Sequence, residues 1–353
     1  MSSPIHGRGA VSNPAHRFES LGRQAEDDGW ARDEEEAAPP DTELIEQLAR
    51  TALTRNDSPD IPFDRSVNPY QGCEHGCVYC YARPSHAYHG LSPGLDFETR
   101  IIVRPNIAER LRRELARPGY RPAPLALGAN TDPWQPAERG LGITRQVLEV
   151  LVETRHPLTL VTKSSLVERD LDLLADMARD GLVHAAVSVC TLDADLARRL
   201  EPRAASPARR LKTLERLAGA GIPCTVLTAP IIPGLTDPDL ERVMEAARDA
   251  GAKTAGYVLL RLPHELKQVF QDWLEVHHPL KAGHVMSLLR QMREGRENNS
   301  EFGLRQRGTG VFADLLSRRV AVARKRLGLD GGLPPLDCGR FRPPGLGGQI
   351  GLF

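Results

Sequence analysis

The sequence predicts an α/β fold, an open partial (β/α)6 barrel of parallel strands joined by crossover helices. Three observations carry this. From about residue 64, short β-prone runs alternate with amphipathic helical stretches, which is the pattern of parallel strands and crossover helices. Six such units are present and no strand is expected after residue 263, two short of a closed eight-stranded barrel. The chain has 353 residues, 41% of them hydrophobic, enough to fill a sizeable core.

Residues 1–60 read as an acidic, largely irregular N-terminal arm. Glu26-Asp27-Asp28 and Asp33-Glu34-Glu35-Glu36 are acidic runs followed by Pro39-Pro40, a composition too poor in apolar surface to offset its ordering entropy. One short helix is expected near Thr42–Leu53. Gly7–Pro14 reads as a disordered tail, with an extended arm packed on the core as the alternative. The core covers 61–276. Its first strand leads to Asn68-Pro69-Tyr70 and a cysteine loop, and a helix fits Asn106–Leu115. Strands at Pro124–Asn130, Leu158–Thr162, His184–Cys190, Cys224–Ala229 and Thr254–Leu260 follow. Their helices fall at Thr144–Glu153, 166–178, Pro207–Ala218, Pro238–Ala250 and Glu265–Val276. The last segment, 277–353, is a C-terminal extension, helical at His284–Arg293 and Phe312–Arg326 and then irregular and rich in Gly and Pro, expected to close the open side of the barrel.

Composition narrows the function. Lysine plus arginine and aspartate plus glutamate number 46 each, so net charge gives no support for a generic polyanion binder. No apolar run approaches the roughly 20 residues that cross a bilayer, and the start lacks the order of a secretory signal. A cytoplasmic enzyme without membrane contact is the expectation. Six cysteines are too sparse for a disulfide scaffold. Cys224 and Cys338 read as ordinary apolar thiols.

The other informative feature is Cys73-Glu-His-Gly-Cys77-Val-Tyr-Cys80, three of the six cysteines within eight residues. Two chemistries fit a bare C-x3-C-x2-C. Zinc would need a fourth ligand, which His75, His86 or His89 could supply. A cubane iron–sulfur cluster would take the three thiolates and keep one iron free of protein ligands. Tyr79 between the second and third thiols completes a C-x3-C-x-aromatic-C signature. With it the chain resembles the radical S-adenosylmethionine enzymes. The longer run Asn68-Pro-Tyr-Gln-Gly-Cys73 to Tyr79-Cys80-Tyr81-Ala-Arg83 is similar to the branch related to spore photoproduct lyase, including an uncharacterised bacterial group allied to it. The resemblance covers about residues 60–290 and implies the partial barrel of that superfamily, a 4Fe–4S cluster on Cys73, Cys77 and Cys80, and S-adenosylmethionine as cofactor.

Ligands of parallel α/β barrels collect at the C-terminal ends of strands, so the strand ends supply the remaining candidates. Asn130, Thr131 and Asp132 end the second strand and offer acceptors to an ammonium group. Lys163 ends the third and offers a charge to a carboxylate. Ser188 ends the fourth and can bond a ribose hydroxyl. Pro230 and Gly234 follow the fifth, where backbone can lie beside a flat ring. Tyr79 joins them as the aromatic beside the cluster. In the resembled family these ends hold the methionine amine and carboxylate, the ribose and the adenine. Here Ala129-Asn-Thr-Asp132 replaces the Gly-Gly-Glu form common in that superfamily.

The resemblance also implies the reaction. The reduced cluster cleaves S-adenosylmethionine to a 5′-deoxyadenosyl radical, which abstracts hydrogen from a substrate that the sequence does not identify. A one-electron reductant of flavodoxin or ferredoxin type is the expected partner. Cys190, on the same strand face as Ser188, could return hydrogen to a product radical. Tyr81 resembles a tyrosine of photoproduct lyases that could relay a radical. Photoproduct lyases carry a donor cysteine after the second strand, whereas Asn130–Gly140 contains none. Nucleic acid as substrate is possible but unsupported: arginine groups at 203–212, 290–307 and 318–326 could meet phosphates or simply cover helix faces. The alternatives are a zinc-stabilised binding or scaffold protein and a DNA photolesion lyase proper.

Overall fold

The structure, a computed structural model, describes residues 7–19 and 41–345. The acidic runs 26–28 and 33–36 and the end 349–353 lie outside the described residues. The described residues form ten strands: β1 (Glu43–Glu46), β2 (Thr54–Arg55), β3 (Arg65–Val67), β4 (Tyr70–Gln71), β5 (Arg100–Val103), β6 (Leu125–Leu127), β7 (Leu158–Thr162), β8 (Val183–Ser188), β9 (Cys224–Ile231) and β10 (Thr254–Leu259). The helices are α1 (Asp96–Thr99), α2 (Ile107–Leu115), α3 (Glu138–Leu141), α4 (Ile143–Glu153), α5 (Leu171–Arg179), α6 (Ala194–Leu200), α7 (Pro207–Gly219), α8 (Leu240–Asp249), α9 (Leu266–His277), α10 (Pro279–Gln291) and α11 (Gly310–Leu327).

The main sheet has seven strands in the order β10-β9-β8-β7-β6-β3-β2. Neighbours from β3 to β10 run parallel, and β2 is added antiparallel at the edge. The six parallel strands are the six expected units, and the whole is the parallel partial barrel of the α/β class. Burial alternates along the strands with the period of the pleat. Leu158, Leu160 and Thr162 on β7, Val183, Ala185 and Val187 on β8, and Cys224, Val226 and Thr228 on β9 are buried. Between them Thr159, Val161, His184, Ala186, Thr225, Leu227 and Ala229 are only half-buried. The first set is the face packed under helices, and the second lines the concave side. A closed barrel fills that side with bulky branched residues; here the trough mixes Thr and Ala side chains with Val161, His184 and Leu227.

The helices cover the outer face with stripes three and four residues apart. Ile143, Val147, Leu148, Val150 and Leu151 of α4 are buried. α7 begins on Ser206, whose side chain accepts from the Arg209 amide at 3.3 Å, and Pro207 sits at its first turn. α6 was not expected from the sequence; Asp193 caps it, accepting from the Asp195 and Leu196 amides.

Two expectations for the N-terminal arm are corrected. Thr42–Leu53 is not a helix. Glu43–Glu46 pairs parallel with β5, which also pairs antiparallel with β4 to complete a small second sheet. The sequence is rich in good helix formers, but the exposed backbone edge of β5 outweighs that weak local preference. Residues 7–19 are not a free tail either: Gly9 and Ala10 are buried, and Ser12 donates to Asp272 of α9 at 2.6 Å. Arg17 pairs with Glu265 at 2.9 Å.

Beyond α10, the loop at 297–309 links the two edges of the main sheet. The Leu259 amide donates to the Gln306 carbonyl at 2.9 Å, while Arg305 bonds Asp60 and Ser58 beside β2. The tail then crosses the opposite end of the barrel. The Ala255 amide meets the Leu329 carbonyl, the Asp337 amide the Gly181 carbonyl, and the Arg342 amide the Thr154 carbonyl. Phe341 packs on Tyr120 and His156.

Candidate cluster and cofactor site

The chain leaves β3, makes the short strand β4, and turns into the cysteine loop. The Cys73 amide bonds the Phe97 carbonyl at 2.9 Å, and the Cys80 amide bonds the Cys77 carbonyl at 3.2 Å. Cys73 and Cys77 are buried, Cys80 is half-buried, and none forms a disulfide. The thiols stand close enough to act on one another electrostatically. Burial pushes the Cys77 and Cys80 thiols up, and the Lys163 ammonium pulls both down.

The loop is held from behind. Arg83 and Glu98, both fully buried, form an ion pair. Arg83 also donates to the carbonyls of Cys77 (2.8 Å), Gly76 (3.1 Å), Gly94 (2.8 Å) and Pro93 (3.2 Å). Glu98 accepts from the Gly9 and Ala10 amides at 2.9 and 2.8 Å, so the N-terminal arm closes the back of the loop. The approach is tight enough to require glycine: a Cβ on Gly9 would drive into the Gly76 carbonyl. Glu74 anchors another edge through Arg203 at 3.1 Å and the Gln135 side chain at 2.9 Å.

The strand-end candidates divide into two groups. Lys163 reaches toward the thiols, its Nζ 5.8 Å from the Tyr79 ring centroid, with no carboxylate partner among the described residues. Asn130 is half-buried at the same rim, its amide bonded to Asn68 and its side chain without a protein partner among the described residues. Asp132, by contrast, is spent. Its oxygens accept from the Trp134 amide (2.9 Å), the Thr162 hydroxyl (2.8 and 3.0 Å) and the Lys163 amide (2.7 Å), with His75 Nδ1 at 3.4 Å. Burial alone would raise this carboxyl, but His75 and these bonds hold it below the usual range. The expectation that Asp132 offers a free acceptor to an ammonium is therefore corrected: it fixes the ends of β6 and β7 together. Thr131 is spent as well, its hydroxyl donating to the Tyr70 carbonyl at 3.1 Å.

Ser188 is buried and donates to the Ala229 carbonyl at 3.0 Å, across the ends of β8 and β9. Pro230 lies in β9 after a cis peptide bond. Gly234 turns the chain after β9 with a φ of 75°, the left-handed region that favours glycine, and a Cβ there would make only ordinary contacts with His284, Val285 and Leu288 of α10.

Sequence reasoning missed a buried network beside the loop. The Tyr79 hydroxyl and the Arg210 guanidinium both bond Glu201, at the end of α6. The Cys190 thiol points at the same carboxylate, 3.7 Å away. Arg210 also donates to the Ser188 carbonyl at 3.0 Å. Cys190 is thus buried and engaged, and burial raises its thiol. Both partners of the ion pair sit among exposed helical charges in the sequence, and no local signal marks them. Tyr81 stands on the other side of Cys80, half-exposed, its hydroxyl donating to the Ala129 carbonyl. Trp134 and Trp273 are core residues, their indole N–H groups satisfied by Asp170 and the Arg199 carbonyl at 2.8 and 3.0 Å.

The donor set fits a cubane. His75 lies between Asp132, 3.4 Å from its Nδ1, and the Cys73 thiol, and bonds both, and His86 Nε2 is bonded to the Arg100 carbonyl at 2.9 Å. Among the described residues no three His, Cys, Asp or Glu side chains converge on a single ion position, the arrangement a lone tetrahedral zinc requires. A cubane instead distributes three thiolates over three irons.

The fold is an open α/β partial barrel with three reduced thiols on one loop at the C-terminal ends of its parallel strands. The chain belongs to the Radical SAM superfamily, which it matches over residues 67–247. An uncharacterised protein of Mycobacterium tuberculosis is 36% identical over 249 residues, 70% of this chain and 73% of its own. An uncharacterised protein of Methanocaldococcus jannaschii is 26% identical over 237 residues, 67% of this chain and 84% of its own. Among solved structures, spore photoproduct lyase complexed with dinucleoside spore photoproduct has a TM-score of 0.57 at 17% identity, covering 80% of this chain and 79% of that one. A spore photoproduct lyase mutant with bound AdoMet gives the same TM-score and coverage. These likenesses establish the fold. The family implies a 4Fe–4S cluster and S-adenosylmethionine. Among the described residues no helix is long and apolar enough to cross a membrane.

Proposed function

We propose that this protein is an enzyme that generates a substrate radical with S-adenosylmethionine. The observation that carries the reading is three reduced thiols on one loop, in a chain of the Radical SAM superfamily, with an unpaired lysine in front of them. Bound here, a 4Fe–4S cluster and S-adenosylmethionine supply a 5′-deoxyadenosyl radical that takes hydrogen from the substrate. Cys73, Cys77 and Cys80 would hold three irons. Lys163 would take the methionine carboxylate and Asn130, with free polar atoms at the same rim, the amine. Tyr79 would wall the cluster, its hydroxyl fixed on Glu201. The end of β9 at Pro230 would border the nucleoside, and Ser188 would shape that floor. The concave side of β7, β8 and β9 would face the substrate, and a one-electron donor would have to reach the loop. Cys190 would supply hydrogen to a product radical only by leaving Glu201.

Anaerobic reconstitution should give a brown protein absorbing broadly near ~400 nm with about four irons per chain. Reduction in the presence of S-adenosylmethionine should release 5′-deoxyadenosine, and Cys77→Ala should abolish both the cluster and that product. A colourless protein holding one zinc would sink the reading, as would a full cluster that leaves S-adenosylmethionine intact.

A further inference from the structure

A second unpaired cation lies on the other side of Cys80. Arg261 follows β10, with its guanidinium carbon 4.9 Å from the Tyr81 ring centroid. Tyr81 is itself pinned by its bond to the Ala129 carbonyl. Two more guanidinium groups stand nearby. Arg293 is buried and donates only to carbonyls, those of Leu259, Leu260, Leu304 and Arg305. Arg305 is paired with Asp60. Asp60 is the carboxylate that acts on Arg261, and Arg305 occupies it. Arg261 has no carboxylate within ion-pair distance among the described residues. Burial lowers Arg261 from its ordinary value, and burial with Arg261 as neighbour brings Arg293 down to about 10.

An uncompensated guanidinium held partly out of water is costly unless an anion meets it, and its planar fork suits a two-oxygen acceptor. S-adenosylmethionine carries one carboxylate, and Lys163 is there for it. From this surplus we infer that Arg261, backed by Arg305, forms an oxyanion subsite for the substrate at the mouth of the trough, beside Tyr81. The subsite rests on the reading above for its place in catalysis, and its chemistry is that of a phosphate or carboxylate group on the substrate.

The test uses the cluster-loaded full chain under anaerobic conditions, with inorganic phosphate and acetate as separate probes. One of them at saturation should raise the unfolding temperature by about 2–4 °C in the wild type and not in Arg261→Gln; which one does so names the oxyanion. Arg261→Gln should bind S-adenosylmethionine as the wild type does. An equal response in both proteins, a response to neither probe, or loss of S-adenosylmethionine binding in Arg261→Gln would each overturn the inference, the last by assigning Arg261 to the cofactor. Should Arg261→Gln fail to fold, magnetic resonance of the probes with wild type decides. The reduced, paramagnetic holoprotein should broaden the signal of one probe and the oxidised form should not; no broadening of either overturns the subsite. Thermal protection does not depend on cofactor cleavage, so failure here is distinct from failure to form 5′-deoxyadenosine.

Discussion

The two faces of the cysteine loop treat charge in opposite ways. Behind the loop the charges are matched: Arg83 with Glu98, Arg203 with Glu74, Arg210 with Glu201. In front of it stand Lys163 and Arg261 with no carboxylate partner among the described residues. A buried, paired charge costs desolvation and returns geometry. An unpaired charge at a half-open rim keeps its capacity for a ligand. The back is therefore a frame and the front, on the proposed function, a receptor, and substitutions should separate them.

The largest effect should come from the frame. Glu98→Ala strips Arg83 of its partner and leaves the Gly9 and Ala10 amides without acceptors. The expected loss is about 3–5 kcal/mol of stability, read by urea unfolding, together with lower iron content in the purified protein. Unchanged stability and full iron would mean that the arm and the ion pair do not frame the loop.

Next comes the pH response of the same face. His86 is fully buried behind the loop, and burial lowers it to about 4. The unfolded chain takes up a proton near its ordinary value of 6.5 while the folded chain resists until about 4. Stability from this group is thus complete above about 6.5 and is lost as pH falls to about 4, on the order of 3 kcal/mol across that window. His156, at the far end of the barrel under Phe341, is lowered to about 4 in the same way. His86→Leu should flatten part of the acid limb of an unfolding curve measured against pH; an unaltered limb would place the acid sensitivity elsewhere.

The smallest effect on stability should come from the front. Lys163→Met should leave unfolding within about 0.5 kcal/mol of the wild type. It should weaken S-adenosylmethionine binding by about tenfold or more, equivalent to about 1.4 kcal/mol, measured by equilibrium dialysis of the cluster-loaded protein. Undiminished binding would take Lys163 out of the cofactor site.

The parallel strands were legible because each is a short β-prone run bounded by turn residues, and Lys163 because it ends such a run. Thr42–Leu53 misled because its strand exists only through pairing with β5, which lies beyond any local window. α6 carried a readable start in Asp193 followed by Leu196 and Leu200. The commitment of Asp132 was hidden: it depends on His75, Thr162 and Trp134 converging from separate segments. The ion pairs of Glu98 and Glu201 were hidden likewise, since a buried glutamate and an exposed one look the same in a sequence until the fold brings its arginine.

The arm also sets an order of events during synthesis. Ser12 meets Asp272 and Arg17 meets Glu265, the latter 248 residues later in the chain. A nascent polypeptide emerges from its N-terminus and closes such distant contacts last. A ribosome stalled before α9 would present Cys73, Cys77 and Cys80 with Glu98 already able to take the Gly9 and Ala10 amides, but with the Ser12 and Arg17 anchors of the arm still unmade.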